Sequence, residues 1–391
     1  MKKFLSLVTI ALLGVMVVSA IGLAEGQFAV VLDVGGRGDL SFNDMGFLGA
    51  EAAAAEFNME WIELQSTTAA DYGPNLRNLA RTEEYDLIIG VGYLFTDAMI
   101  EVAAEFPDQK FAIIDGYIVE TPNVMSIVYA EYQPAALIGA LAAMAGAYHD
   151  YEAAGVVLGM EISVLYKFEA GFRFGMTWGL NKYAEETGTA ATVNFLYDYT
   201  GSFDDIALGK TSSEAMLAQG AVGIFNVAGP LGLGDHEAVA EAHLNAGTTY
   251  GPPYYFGVDA TQDYIGNGYH GIASAMKHVD TGVYDAIASV ANDTYEGGLY
   301  VYGINEGGGS ISNVNDLLNF IPFAKRQGAV TVDAYEVLAN WAMNRATLPE
   351  WIWDAIDELE AGIADGSIEV PTALTLEQMR AVRAQYELGA P

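Results

Sequence analysis

FAVVLDVGGRGDLSFNDMGFLG, residues Phe28 to Gly49, is the stretch that decides how this chain folds. It opens on the apolar run Phe28 to Leu32, and an uninterrupted run of that length fits a strand buried on both faces of a parallel sheet. Asp33 ends the run. Gly35, Gly36 and Gly38 then allow a sharp loop whose backbone can approach a ligand, and Ser41 or Asn43 is placed to cap a helix beginning near Asp44. Phe42 is out of place in so polar a loop. It either stacks on a planar ligand at the carboxyl end of the strand or folds down as a hydrophobic staple for the helix, and the local residues support both.

The same unit recurs downstream. Met59 to Leu64 alternates as a strand, Tyr72 to Thr82 reads as a helix, and Leu87 to Val91 is a strand followed by a glycine loop and a helix from about Thr96 to Phe106. Strand Phe111 to Ile114 ends in Asp115, and Asn123 to Tyr129 is a further strand. Strands alternating with helices of this length predict a parallel, doubly wound sheet, with the strand-end loops gathered at one edge.

From Tyr132 the pattern restarts and runs through strands at Gly155 to Gly159, Ala191 to Tyr197, Val222 to Val227 and Tyr254 to Val258, the last ending in Asp259. FPDQKFAIIDG (Phe106 to Gly116) and GPPYYFGVDAT (Gly251 to Thr261) echo each other as turn, aromatic-rich strand, acid and small residue. The expected fold is therefore α/β, with two doubly wound parallel-sheet lobes and a ligand cleft between them. The expected division is 1–24 as a leader, 25–130 with 277–345 as lobe 1, and 131–276 with 346–391 as lobe 2.

Met1 to Ala24 carries Lys2 and Lys3, an apolar run from Phe4 to Val18 and small residues suited to cleavage, which predicts a Sec-type signal peptide. The chain of 391 residues has no cysteine, which removes disulfides, thiolate metal sites and lipidation through cysteine. A cleaved leader without a lipidation cysteine predicts a free periplasmic or secreted protein. The net charge of −35 argues against nucleic acid or an anionic membrane as partner. Acids spread along the whole chain suit a high-salt habitat, where screening is strong.

Chemical motifs are sparse. Gly36-Arg37-Gly38-Asp39-Leu40-Ser41 lacks the third glycine of a dinucleotide fingerprint, and its acid would repel a pyrophosphate. There is no Walker A sequence, no HExxH or i, i+4 histidine pair, and no GxSxG elbow. No cofactor, metal site or catalytic group is expected. What remains is a set of strand-end residues: Asp33, Phe42, Asn43, Asp115, Phe203, Gly229 and Asp259, with Lys277 just past a late strand. Ionised aspartates there can each accept two sugar hydroxyls, and each can equally serve as a helix cap.

Several blocks resemble the basic membrane protein (PnrA-like) family of substrate-binding proteins for ABC transporters. They are DVGGRGDLSFND (Asp33 to Asp44), YDLIIGVGYLFTDA (Tyr85 to Ala98), PDQKFAIID (Pro107 to Asp115), FEAGFRFG (Phe168 to Gly175), GSFDDIALGK (Gly201 to Lys210), IFNVAGPLGLG (Ile224 to Gly234) and FGVDATQ (Phe256 to Gln262). The resemblance implies the type I periplasmic-binding fold, a purine nucleoside as ligand and an ABC permease as partner. It implies a base held between Phe42 and Phe203, with Asp33 and Asn43 reading its edge. Asp115, Asp259 and Lys277 would fix the ribose, Gly229 would let the backbone approach, and Phe168 would be a further contact. Asp44 stands where the family commonly has glutamine. A binder of another sugar-containing ligand, or a nucleoside hydrolase on the same scaffold, is the alternative.

Overall fold

In the computed structural model, residues 26–388 are described, and the expected leader, 1–24, lies outside them. The opening run forms β1 (Gln27–Leu32), fully buried from Phe28 onward, and the loop leads into α1 (Phe42–Phe57). The first lobe continues through β2 (Glu60–Gln65), α2 (Tyr72–Ala80), β3 (Leu87–Val91), α3 (Thr96–Glu105), β4 (Phe111–Ile114) and β5 (Val124–Tyr129). The chain then crosses to the second lobe, with α4 (Tyr132–Tyr148), β6 (Ala153–Leu158), α5 (Ser163–Thr187), β7 (Asn194–Tyr199), α6 (Ile206–Leu217), β8 (Ala221–Val227), α7 (Gly232–Ala246), β9 (Tyr254–Asp259) and β10 (Gly271–Lys277). It returns for α8 (Val279–Ala291) and β11 (Gly298–Tyr302), and crosses again to β12 (Gly309–Ile311), α9 (Val314–Arg326), α10 (Ala334–Arg345), α11 (Glu350–Ala364) and α12 (Leu376–Gln385).

Each lobe holds a six-stranded sheet, ordered β11-β5-β4-β3-β1-β2 in the first and β12-β10-β9-β8-β6-β7 in the second. All pairs are parallel except β10 with β12. The central parallel strands are buried on both faces because helices cover both, while the edge strands β2, β7 and β11 stay partly exposed. Leu76 of α2 and Met99 of α3 pack under one face of the first sheet, and Met45 of α1 and Val283 of α8 pack over the other.

The return to the first lobe is shorter than the sequence suggested. Residues up to β11 do rejoin it, but Gly309–Ile311 pairs with β10. Trp341 and Asn344 of α10 hydrogen-bond to Asp263 and to the Gly271 carbonyl, both in the second lobe. These residues carry no strand periodicity that would reveal which lobe they join; buried polar anchors decide it.

In the second lobe α4 and α5 pack backbone to backbone. A side chain at Gly171 or Gly175 would collide with the Tyr132 or Ala136 carbonyl, so glycine is required for this approach. The contact fixes α5 rigidly beside the crossover from β5, and α5 carries Lys167 and Phe168. The crossovers are bonded to one another: the Ala130 N–H donates to the Tyr302 carbonyl (2.9 Å) and the His278 N–H to the Gly308 carbonyl (3.0 Å).

Candidate functional site

Strand order reverses at β1, which lies between β2 and β3, and again at β6, which lies between β7 and β8. Loops at such switch points diverge and leave a crevice. The Asp33 to Ser41 loop leaves the first. At the second, the ring of Phe203, in the loop between β7 and α6, lies so close over Gly159 that any side chain there would overlap it. Between the lobes runs a cleft of about 600 Å³, counted out to its open mouth, and all nine expected site residues line it: Asp33, Phe42, Asn43, Asp115, Phe168, Phe203, Gly229, Asp259 and Lys277.

On the first wall, neither Ser41 nor Asn43 caps α1. Asp39, which the sequence reading passed over, accepts from the backbone N–H groups of Ser41 (3.0 Å), Asn43 (2.8 Å) and Asp44 (3.1 Å). An aspartate just ahead of the serine was the available signal. Ser41 instead reaches the other lobe, its hydroxyl donating to the Val258 carbonyl (3.0 Å) and to Asp259 (2.9 Å). Asp44 is buried away from the cleft lining and paired with Arg37 at 2.7 Å, so it braces the loop.

Asn43 donates through Nδ2 to Asp33 (2.9 Å) and Asp39 (3.2 Å). With both amide hydrogens committed to carboxylates, its Oδ1 can only accept, and that oxygen is buried without a partner. Burial raises the Asp33 carboxyl to about 6 against the opposing hydrogen bonds from Asn43 and Gly35. Burial, then the nearby Asp44, raises Asp39 to about 7.

The floor comes from the ends of β4, β9 and β10. Asp115 and Asp259 both adopt left-handed backbone, with φ of 69° and 62°, so the echo seen in sequence is a shared strand-end conformation. Lys277 pairs with Asp115 at 2.5 Å and lies 3.5 Å from Glu131, with its ammonium 4.8 Å from the centre of the Phe42 ring. Burial alone would lower the Lys277 pKa, but Asp115, Glu131 and Asp259 together hold it above its ordinary value. Asp259 stands at about 6, raised by burial and held back by Lys277. Asp115 is also raised, chiefly by burial, and its Oδ1 is buried with no hydrogen-bond partner.

On the second wall Phe168 is buried edge-on to Phe225, so it belongs to the lobe core as well as to the cleft. Gly229 has a positive φ of 54°, and a side chain there would meet no atom within 4 Å, so its role is conformational rather than steric. Glu131 and Lys167, buried behind Lys277, escaped the sequence reading because nothing local marks either residue. Among the described residues no cluster of histidine and acids is arranged to hold a metal.

Two α/β lobes enclosing a cleft of rings, buried carboxylates and one buried lysine define a solute-binding protein. The chain belongs to the Bmp family, ABC transporter substrate-binding protein PnrA-like, whose sequence profile matches residues 27–332. It is 36% identical over 369 residues to an uncharacterized lipoprotein of Pyrococcus abyssi, covering 93% of this chain and 88% of that one. It is 30% identical over 293 residues to a Lactococcus lactis protein named ABC transporter nucleoside-binding protein BmpA, covering 72% of this chain and 79% of that one. Among solved structures, an ABC transporter solute-binding protein from Aeropyrum pernix matches with a TM-score of 0.84 and 32% identity, over 93% of this chain and 97% of the other.

These relatives correct one expectation. A leader without a following cysteine predicts a free periplasmic or secreted protein, yet the Pyrococcus abyssi relative and two further Pyrococcus proteins carry the name lipoprotein. The expectation falls, because a missing cysteine speaks to one attachment chemistry and not to where the protein is held.

Proposed function

We propose that this protein binds a purine nucleoside between its lobes and presents it to the permease of an ABC importer. The observation that carries this reading is that two aromatic rings from opposite lobes, Phe42 and Phe203, line one cleft together with two buried acceptors that have no hydrogen-bond partner, Asn43 Oδ1 on the first wall and Asp115 Oδ1 on the floor. A base stacked between the rings would present its N–H groups to Asn43 Oδ1 and Asp33, while Asp115, Asp259 and Lys277 would take the ribose hydroxyls. The name of the Lactococcus lactis relative points the same way. Stacking on both faces requires the lobes to be closed, so the ligand shifts the population toward the closed state.

The test is mass spectrometry of ligand released from the purified protein, followed by calorimetry with inosine. A purine nucleoside in the released fraction, and saturable binding of inosine, are the expected results. Release of a sugar lacking a base would favour the binder of another sugar-containing ligand. The protein is read as a binder rather than an enzyme, and free hypoxanthine accumulating from inosine would overturn that.

A further inference from the structure

Behind the cleft floor the charges continue into the body of the protein. Lys277 faces Asp115 on one side and Glu131 on the other, and Glu131 in turn pairs with Lys167 at 2.5 Å. Lys167 also donates to the Tyr129 carbonyl at 2.8 Å. Acid and base thus alternate through four side chains, each buried. Burying charges is costly unless each is compensated, and replacing such a set by apolar side chains is often neutral or better for stability, so stability alone gives little reason for it.

Its position gives it a role. Tyr129 is the last residue of β5, and Glu131 lies in the crossover between β5 and α4, at the N-terminus of α4. Lys277 ends β10, immediately before the second crossover. Lys167 stands on α5, which is locked against α4 by the glycine contact described above. The chain therefore runs from the cleft floor into two of the interlobe crossovers and onto the rigid frame of the second lobe.

We infer that Glu131, held by Lys167, is a positioning residue that aims the Lys277 ammonium into the cleft and fixes the Asp115–Lys277 pair for the sugar part of the ligand. This rests on the nucleoside reading. Without Glu131, the Lys277 ammonium keeps Asp115 but loses the carboxylate behind it, so it can swing with Asp115 and follow any ligand hydroxyl with less order. The base-edge groups Asp33 and Asn43 are held by separate hydrogen bonds, and Phe42 meets Lys277 only through its ring face at 4.8 Å, so a ligand without a sugar should lose far less.

The experiment compares inosine with hypoxanthine by calorimetry in the full chain, for the unsubstituted protein, Glu131→Gln, Lys277→Met and the double variant. Glu131→Gln is expected to weaken inosine about tenfold or more, as for a buried charge pair losing one partner, and hypoxanthine by less than about threefold. The double variant is expected to bind inosine no worse than Lys277→Met alone, because Glu131 acts through Lys277. Lys167→Met should reproduce the selective loss in milder form, which keeps the test open should Glu131→Gln fail to fold. Equal losses for both ligands, or additive losses in the double variant, would overturn the assignment while leaving the nucleoside reading intact. No inosine binding by the unsubstituted protein would overturn both.

Discussion

Replacing Phe42 separates a ring that stacks on ligand from one that merely staples α1. The ring is half-buried, so its removal forfeits only part of the roughly 3 to 5 kcal/mol typical of a fully buried Phe→Ala change, and a domain stable by about 5 to 15 kcal/mol survives it. The ring also faces the Lys277 ammonium at 4.8 Å, which keeps its Asp115 partner at 2.5 Å after the ring is gone. The effect on affinity then comes down to stacking. Base-on-aromatic stacking contributes about 1 to 3 kcal/mol by alanine substitution, which is roughly a five- to 150-fold weakening of inosine. Phe42→Leu sharpens the test, since it restores apolar volume without a π face. Calorimetry with inosine should show Phe42→Ala weak and Phe42→Leu little better. Wild-type affinity in Phe42→Leu would mean that the position supplies only packing, and unchanged affinity in Phe42→Ala would remove the ring from the site.

Asp33 and Asp259 each stand at about 6, above the ordinary carboxyl value of 3.8, so the unliganded fold keeps a proton on each to a higher pH than the unfolded chain does. Between those values the folded state holds more protons than the unfolded chain, and the contribution of each to stability falls as pH rises from about 4 to 6. A nucleoside donating to the ionised forms reverses that preference. Affinity should therefore drop by about tenfold per carboxylate between pH 7.5 and pH 5, and a flat titration profile would contradict the roles assigned to them. Asp115→Ala should weaken inosine about tenfold or more while sparing hypoxanthine, and equal losses for the two would remove it from the sugar subsite. At the far end of the chain, Arg383 of α12 makes two hydrogen bonds, 2.8 and 2.7 Å, to the buried Glu169 of α5, which keeps Arg173 as a second partner. Arg383→Ala should cost about 2 kcal/mol in denaturant unfolding with inosine affinity unmoved, and an unchanged midpoint would show that α12 docks without this pair.

By itself the sequence determined most of the strands and helices and the strand-end positions from Asp33 to Lys277 that come to line the cleft, but not cleft residues such as Tyr93, Leu94 and Ile162. An apolar strand running into a glycine loop and then a helix is dictated by residues in direct succession, and the repeated acid at strand ends reports a backbone bend that recurs in both lobes. Phe42 remained ambiguous locally, and its pairing with Phe203 came from the family resemblance. The tertiary structure decided which groups meet. Asp39 rather than Ser41 caps α1, while the Ser41 hydroxyl is engaged by Val258 and Asp259 in the other lobe, partners that no reading of the loop alone contains. Gly309 to Arg345 sits largely on the second lobe because Asp263 and the Gly271 carbonyl anchor it there. Glu131 and Lys167 face each other only after α4 and α5 have packed. Local sequence governs backbone choice over a few residues, whereas compensation of buried charge is a long-range condition satisfied only by the assembled fold.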